Sequence, residues 1–208
     1  MSPIKYEKGM GMIYLGMSPW EGMWRNRHQL MSRFAATMPV LYVEPWQTLK
    51  RVRRSMLRGD FKCAPEARLG TSPVPGLSVF CGSPFLPVSG SRYLAAFTER
   101  RWYSAIRRHA RRLGITKPIL WISRPEYAAA LGRMEEILSI YHIVDEYGGY
   151  TSQTERSRKK LWAKERQLIE AVDFSIAVSL ELVESKGGES GAVHLIENAV
   201  DVLQFEQA

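Results

Sequence analysis

Seven short apolar runs, each separated from the next by a stretch of helical spacing or a breaker-rich loop, constrain this chain more than any other feature. The runs cover residues 12–15, 40–43, 77–80, 119–122, 138–144, 174–178 and 193–196. They are too short for buried helices and rich in Val, Ile, Leu and Tyr, so they read as strands buried on both faces. Between them, residues 22–38 place Trp24, Met31, Phe34, Ala35 and Met38 near one face, and Pro39 stops the pattern. Residues 91–113 do the same with Leu94, Phe97, Trp102, Ala105, Ile106 and Leu113, and Gly114 supplies a C-cap. Shorter helices are expected at 126–134 and 180–185, and a long one at 154–171. Strands alternating with helices predict an α/β, Rossmann-like, three-layer domain with a mostly parallel sheet of about seven strands. One domain over residues 1–208 is the natural reading of this length. Residues 46–76 break the pattern: they carry basic residues, then Gly59, Pro65, Gly70, Pro73, Pro75 and Gly76, and read as a short basic helix and a loop.

Hydrophobic residues make up 45% and charged residues 24% of the chain, ordinary values for a globular protein. No run approaches the ~18 apolar residues of a membrane span, and the first eight residues lack the apolar centre of a signal peptide. Cys63 and Cys81 carry no metal-ligand spacing and suggest no disulfide framework, so a cytoplasmic protein without a bound metal is expected.

In an open parallel sheet, ligands sit beyond the carboxyl ends of the strands. Those ends carry Gly16, Ser18, Trp20 and Glu21 after the first run, Pro45 and Trp46 after the second, and Ser123, Arg124 and Glu126 after the fourth. Asp145, Glu146 and Tyr147 follow the fifth, Ser179 the sixth and Asn198 the seventh. Hydroxyls, carboxylates and indoles together suit carbohydrate, because a sugar ring offers an apolar face and many hydroxyls. The stretch from Gly16 to Gly22 lies between a strand and a helix, where backbone N–H groups favour an anion. It is neither Gly-x-Gly-x-x-Gly nor a Walker loop, and an ordinary strand-to-helix turn fits it too.

Asp145 and Glu146 are adjacent carboxylates at a strand end. Either could serve as the general base that deprotonates an acceptor hydroxyl, and Asp145 is the first candidate, equally readable as a turn cap. His142 lies on the opposite strand face from Asp145, so the two form no obvious dyad. Glu165 falls on the apolar face of its helix with Leu161, Leu168 and Val172, where a carboxylate needs partners. It reads as a structural tie to a neighbouring turn.

The net charge of +8 attracts polyanions. It gathers at Lys50, Arg51, Arg53, Arg54 and Arg58, and at Arg100, Arg101, Arg107, Arg108, Arg111 and Arg112. Arginines beside Trp102 and Tyr103 suit anionic headgroups, so Arg100, Arg107, Arg108, Arg111 and Arg112 form a candidate membrane-facing set. Nucleic acid ranks lower, since no Cys/His finger, aromatic RNA-binding signature or recognition-helix pattern occurs.

The order of several segments resembles the N-terminal domain of bacterial family-four glycosyltransferases of the GT-B fold, polysaccharide-biosynthesis type. Asn198-Ala199-Val200-Asp201 through Phe205 is similar to their Asn-Gly-Val-Asp-x-x-x-Phe exit, with Ala199 in place of Gly. Trp20-Glu21-Gly22 with Trp24 to Arg27 resembles their first loop and helix, and residues 40–45 their second strand. Residues 140–147 are similar to their Tyr-Asp-x-x-Asp-Asp/Glu-Tyr strand, with His142 in place of the first Asp. Glu165 to Leu168, Ala171-Val172-Asp173 and Ser179 to Leu182 resemble their Glu-x-x-Leu…Ala-Asp…Ser-x-x-Leu segment. The resemblance implies sugar transfer from a nucleotide-sugar donor to a lipid-linked or growing glycan at the inner membrane face, with no cofactor. It implies Asp145 as the catalytic candidate. Gly16, Trp20, Glu21, Arg25, Ser123, Arg124, Glu146, Tyr147, Ser179 and Asn198 are its substrate-side candidates. The donor-binding C-terminal domain of such enzymes is not in these 208 residues, so inactivity without that partner domain is expected. The alternative is a non-catalytic module of the same fold that docks on an anionic membrane or nucleic acid.

Overall fold

The computed structural model describes residues 6–45, 74–81, 92–146, 154–187 and 192–199. Its strands are β1 (Met10–Leu15), β2 (Val40–Val43), β3 (Leu77–Phe80), β4 (Lys117–Ile122), β5 (Leu138–Ile143), β6 (Phe174–Ala177) and β7 (Val193–Leu195). Its α-helices are α1 (Asn26–Ala35), α2 (Arg92–Arg112), α3 (Glu155–Ala171) and α4 (Leu180–Gly187), with a 3-10 helix at Pro125–Ala130. All seven strands are parallel, in the order β3-β2-β1-β4-β5-β6-β7. This is an α/β domain of the Rossmann-like, three-layer kind.

Alternation along each strand divides the core between the two faces. Ile13, Leu15, Leu41, Val43, Leu120, Ile122, Tyr141 and Ile143 pack with Trp102, Tyr103, Ile106, Leu168 and Leu182. Helices α2, α3 and α4 and the 3-10 helix therefore cover that face. Met12, Tyr14, Val40, Tyr42, Leu77, Val79 and Trp121 pack with Met31, Ala35 and Trp20 on the other face, under α1. Burial on both faces is why the strands lack the polar half of an amphipathic pattern.

The first helix is shorter than its apolar spacing suggested, beginning at Asn26 rather than near residue 22. Trp24 consequently lies outside the helix and is 52% exposed. Phe97 is likewise exposed rather than packed under α2. The expected helix at 126–134 is a 3-10 turn that begins at Pro125. Gly114 takes a positive φ of 80° directly after α2, the left-handed cap that suits a residue without a Cβ. The first basic cluster and Cys63 lie outside the described residues, and Cys81 is a buried thiol. No described helix is long and apolar enough to cross a membrane.

Candidate functional site

The sheet order reverses between β1 and β4, and the carboxyl ends of those strands open the crevice where this fold binds ligands. The loop after β1 is held there by its own neighbours. Gly16 donates its N–H to Val43 O at 2.9 Å. A Cβ at Gly16 would stand 2.6 Å from the Tyr42 hydroxyl, so the glycine is needed for the Tyr42 ring. Tyr42 donates to Ser18 O at 2.8 Å, and Tyr127 donates to Gly16 O at 3.1 Å. Burial raises the pKa of both phenols and keeps them donors. Ser123 is fully buried and donates to Leu15 O at 2.6 Å, joining the ends of β1 and β4.

The rest of the loop is anchored by Glu44 and His28, which sequence reasoning did not single out. Trp20 donates its backbone N–H to Glu44 Oε1 at 2.9 Å, and its indole is 7% exposed. His28 Nε2 lies 2.6 Å from Trp20 O, and Arg25 N–H reaches His28 Nδ1 at 2.9 Å. A carbonyl only accepts, so Nε2 carries the proton and Nδ1 offers its lone pair. This pair of bonds requires a neutral imidazole. Burial lowers the His28 pKa, and the nearby Arg27 and Arg25 charges act in the same direction. Trp24 stacks on the imidazole at 4.9 Å and 20°. The available signal was spacing: His28 falls in register with Met31 and Ala35 on the buried face of α1.

Of the substrate-side candidates on this loop, Gly16 and Trp20 are buried in packing, while Glu21 and Arg25 are exposed. Arg124 pairs with Glu126 at 2.7 Å. Asn198, beyond β7, accepts a hydrogen bond from Asn26 at the start of α1. That contact joins the exit segment to the first helix across 172 residues of sequence. Ser179 accepts the Leu182 N–H at 3.4 Å and caps α4.

The end of β5 is built differently. Asp145 is exposed, and its Oδ1 accepts the Glu146 N–H at 2.9 Å. Glu146 is bound by Lys186 Nζ at 2.7 Å and approached by the Trp162 indole N–H at 3.4 Å. Lys186 also reaches Glu165 Oε2 at 2.8 Å, while Tyr141 donates to Glu165 Oε1 at 2.7 Å. Glu165 thus ties α3 to a strand and a helix rather than to a turn. Burial acts to lower the Lys186 pKa, but its two carboxylate partners outweigh that and the net shift is upward. The apolar spacing of α3 flagged Glu165; nothing in the sequence marked Lys186, whose role comes from where α4 ends. Beside this chain lies a cavity of about 750 Å³ whose walls include Glu146, Trp162, Ile169, Ser185, Lys186 and Ala192. Tyr147 lies outside the described residues.

His142 is 7% exposed, its ring forms no hydrogen bond among the described residues, and the ring meets Trp121 edge-on at 5.4 Å. Burial pushes its pKa down to about 4. It faces the opposite side of the sheet from Tyr141, as strand alternation requires, and so stands apart from the Asp145 turn.

On α2, Arg107 and Arg111 both pair with Glu135, at 3.2 and 2.5 Å. Glu135 has a φ of 58°, a left-handed conformation that costs a non-glycine residue about 1 kcal/mol. Two of the five candidate membrane arginines are therefore engaged in holding the turn before β5. Arg100, Arg108 and Arg112 are exposed and form no ion pair among the described residues. Arg101 lies 5.9 Å above the exposed Phe97 ring. No group of three potential metal ligands occurs among the described residues.

No family model matches this chain, and no curated protein matches it.

Proposed function

We propose that this chain is the acceptor-side domain of a GT-B glycosyltransferase that moves a sugar from a nucleotide-sugar donor to a lipid-linked or growing glycan. The observation that carries the reading is the convergence at one sheet edge. The loop after β1, Ser123 and Arg124 after β4, and Asp145 and Glu146 after β5 all stand at the carboxyl ends of parallel strands. The Asn26–Asn198 contact supports it further, because it seats the exit segment on the first helix.

In this reading Asp145 takes the proton from an acceptor hydroxyl. The hydroxyl oxygen bonds to the anomeric carbon, the bond from that carbon to the diphosphate breaks, and the nucleoside diphosphate departs. Asp145 suits the role by its exposure and its anchored turn: Lys186 fixes Glu146, whose N–H fixes the Asp145 carboxylate. The donor domain supplies nucleotide binding and stabilisation of the leaving phosphate. Asp145→Asn in the protein joined to its donor domain tests the assignment. Loss of transfer by about a hundredfold or more, with donor binding kept, supports the base. Unchanged transfer removes it.

A second reading is peripheral docking on an anionic membrane at its inner face. The exposed Phe97 among Arg100, Arg101, Arg108 and Arg112 favours it, since a cation near an anionic lipid surface contributes about 1 kcal/mol. Replacing Arg100, Arg108 and Arg112 with Gln should abolish binding to phosphatidylglycerol vesicles. Unchanged binding would remove this face as the docking surface.

A further inference from the structure

The loop after β1 is held in place by Tyr42, Ser123 and Tyr127, and a separate cavity lies between α3 and α4. We infer that this cavity is the acceptor subsite, and that it takes an uncharged, hydroxyl-rich sugar ring with the Trp162 indole as its stacking wall. The inference rests on the acceptor-domain reading and assigns it a place. The volume of about 750 Å³ is within the range of small-ligand sites. Trp162 is 43% exposed, with the Arg158 guanidinium 5.3 Å from its ring centroid. Ile169 and Ala192 add apolar lining, and Ser185 a hydroxyl.

The polar end of the cavity is preorganised. Lys186 and Glu165 have side chains only 8% and 2% exposed and are bonded to each other. Glu146 is held by the same ammonium and remains 38% exposed. Glu165 is engaged by Tyr141 and Lys186, and Glu146, fixed by the same ammonium, accepts hydrogen bonds from sugar hydroxyls without having to be ordered first.

Charge decides the ligand class. The cations in the walls are both engaged, Lys186 by Glu146 and Glu165 and Arg166 by Glu170, while Arg158 lies over the Trp162 ring. A diphosphate would have to displace those carboxylates from Lys186 and Arg166, so the nucleotide donor is disfavoured and a neutral ring is favoured. Glu146, one of the cavity walls, directly follows the candidate base Asp145 in the sequence and donates its N–H to that carboxylate.

The test follows the indole N–H resonances of the intact chain by nuclear magnetic resonance, with Trp162 assigned from the Trp162→Phe variant. The probes are a panel of neutral bacterial-type oligosaccharides and, separately, uridine diphosphate. The expected result is that an oligosaccharide shifts the Trp162 resonance and uridine diphosphate does not. Trp162→Ala, a change at a partly exposed position, should weaken oligosaccharide binding about tenfold while leaving the thermal transition intact. Oligosaccharide binding that leaves Trp162 unmoved, or that survives Trp162→Ala unchanged, would overturn this subsite and leave the acceptor-domain reading standing. Absence of binding by every oligosaccharide would overturn both. A shift caused by uridine diphosphate would overturn the ligand class.

Discussion

His142 should make this protein acid-labile over a defined range. Its ring is buried, rests edge-on against Trp121 and has no hydrogen-bond partner among the described residues, none of which supports a charge there. Burial holds its pKa near 4 against an ordinary 6.5. The unfolded chain therefore binds a proton that the folded chain refuses, and stability must fall as pH falls. The full contribution is present above pH 6.5 and is lost by about pH 4. At about 1.4 kcal/mol per pH unit, the loss is roughly 3 kcal/mol. His28 and His109 are also depressed by burial, and carboxylates titrate at the lower end, so the acid response of the wild type alone is a composite. The difference between wild type and His142→Phe isolates the one ring. Urea unfolding at pH 7.5, 6.0, 5.0 and 4.5 should show wild type losing ground to the variant steadily below pH 6.5, by about 2 kcal/mol at pH 5. A difference that stays constant within about 0.5 kcal/mol across that range would refute the reasoning.

Lys186→Met leaves Glu165 buried without its cation and should destabilise by about 3–5 kcal/mol in denaturant unfolding. Lys186→Met with Glu165→Leu should recover most of that loss, because the orphaned charge is gone. Since its partners raise the Lys186 pKa, stability from this group is complete below its ordinary 10.5 and should fall as pH rises past that value. An alkaline unfolding titration in which Lys186→Met tracks wild type would contradict this. Gly16→Ala should cost about 1–3 kcal/mol through its clash with Tyr42, read as a lowered melting temperature that Tyr42→Leu partly restores. His28→Phe should loosen the loop after β1 by stranding Arg25 N–H and Trp20 O, so limited proteolysis should speed up within residues 16–25.

The sheet was legible because strands buried on both faces leave continuous apolar runs, and all seven runs of the sequence correspond to strands within two residues. Parallel pairing followed from the alternation with helices, whereas the placement of β1 and β4 at the centre is a property of topology. The start of α1 was misplaced because Trp24 continues the apolar spacing of the helix while lying outside it. Its ring is recruited by stacking on His28, a contact that spacing alone reads as helical packing. Glu165 was detectable as a carboxylate on an apolar face, but its partners Lys186 and Tyr141 come from two other elements. Likewise Gly16 reads as a ligand-approach glycine until the Tyr42 ring is seen to fill that space. The anchoring role of Glu44 depends on the path of the loop after β1, which leaves no periodic trace.

The most direct test of the central claim is sugar transfer by the protein expressed from its complete reading frame. A panel of labelled nucleotide-sugars would be offered with lipid-linked acceptors extracted from its host's membranes. The account predicts that label from at least one donor enters the glycan or lipid fraction, and that Asp145→Asn reduces that rate about a hundredfold or more. Transfer from no donor, with the protein folded and the acceptors intact, would contradict the claim that this domain serves a glycosyltransferase.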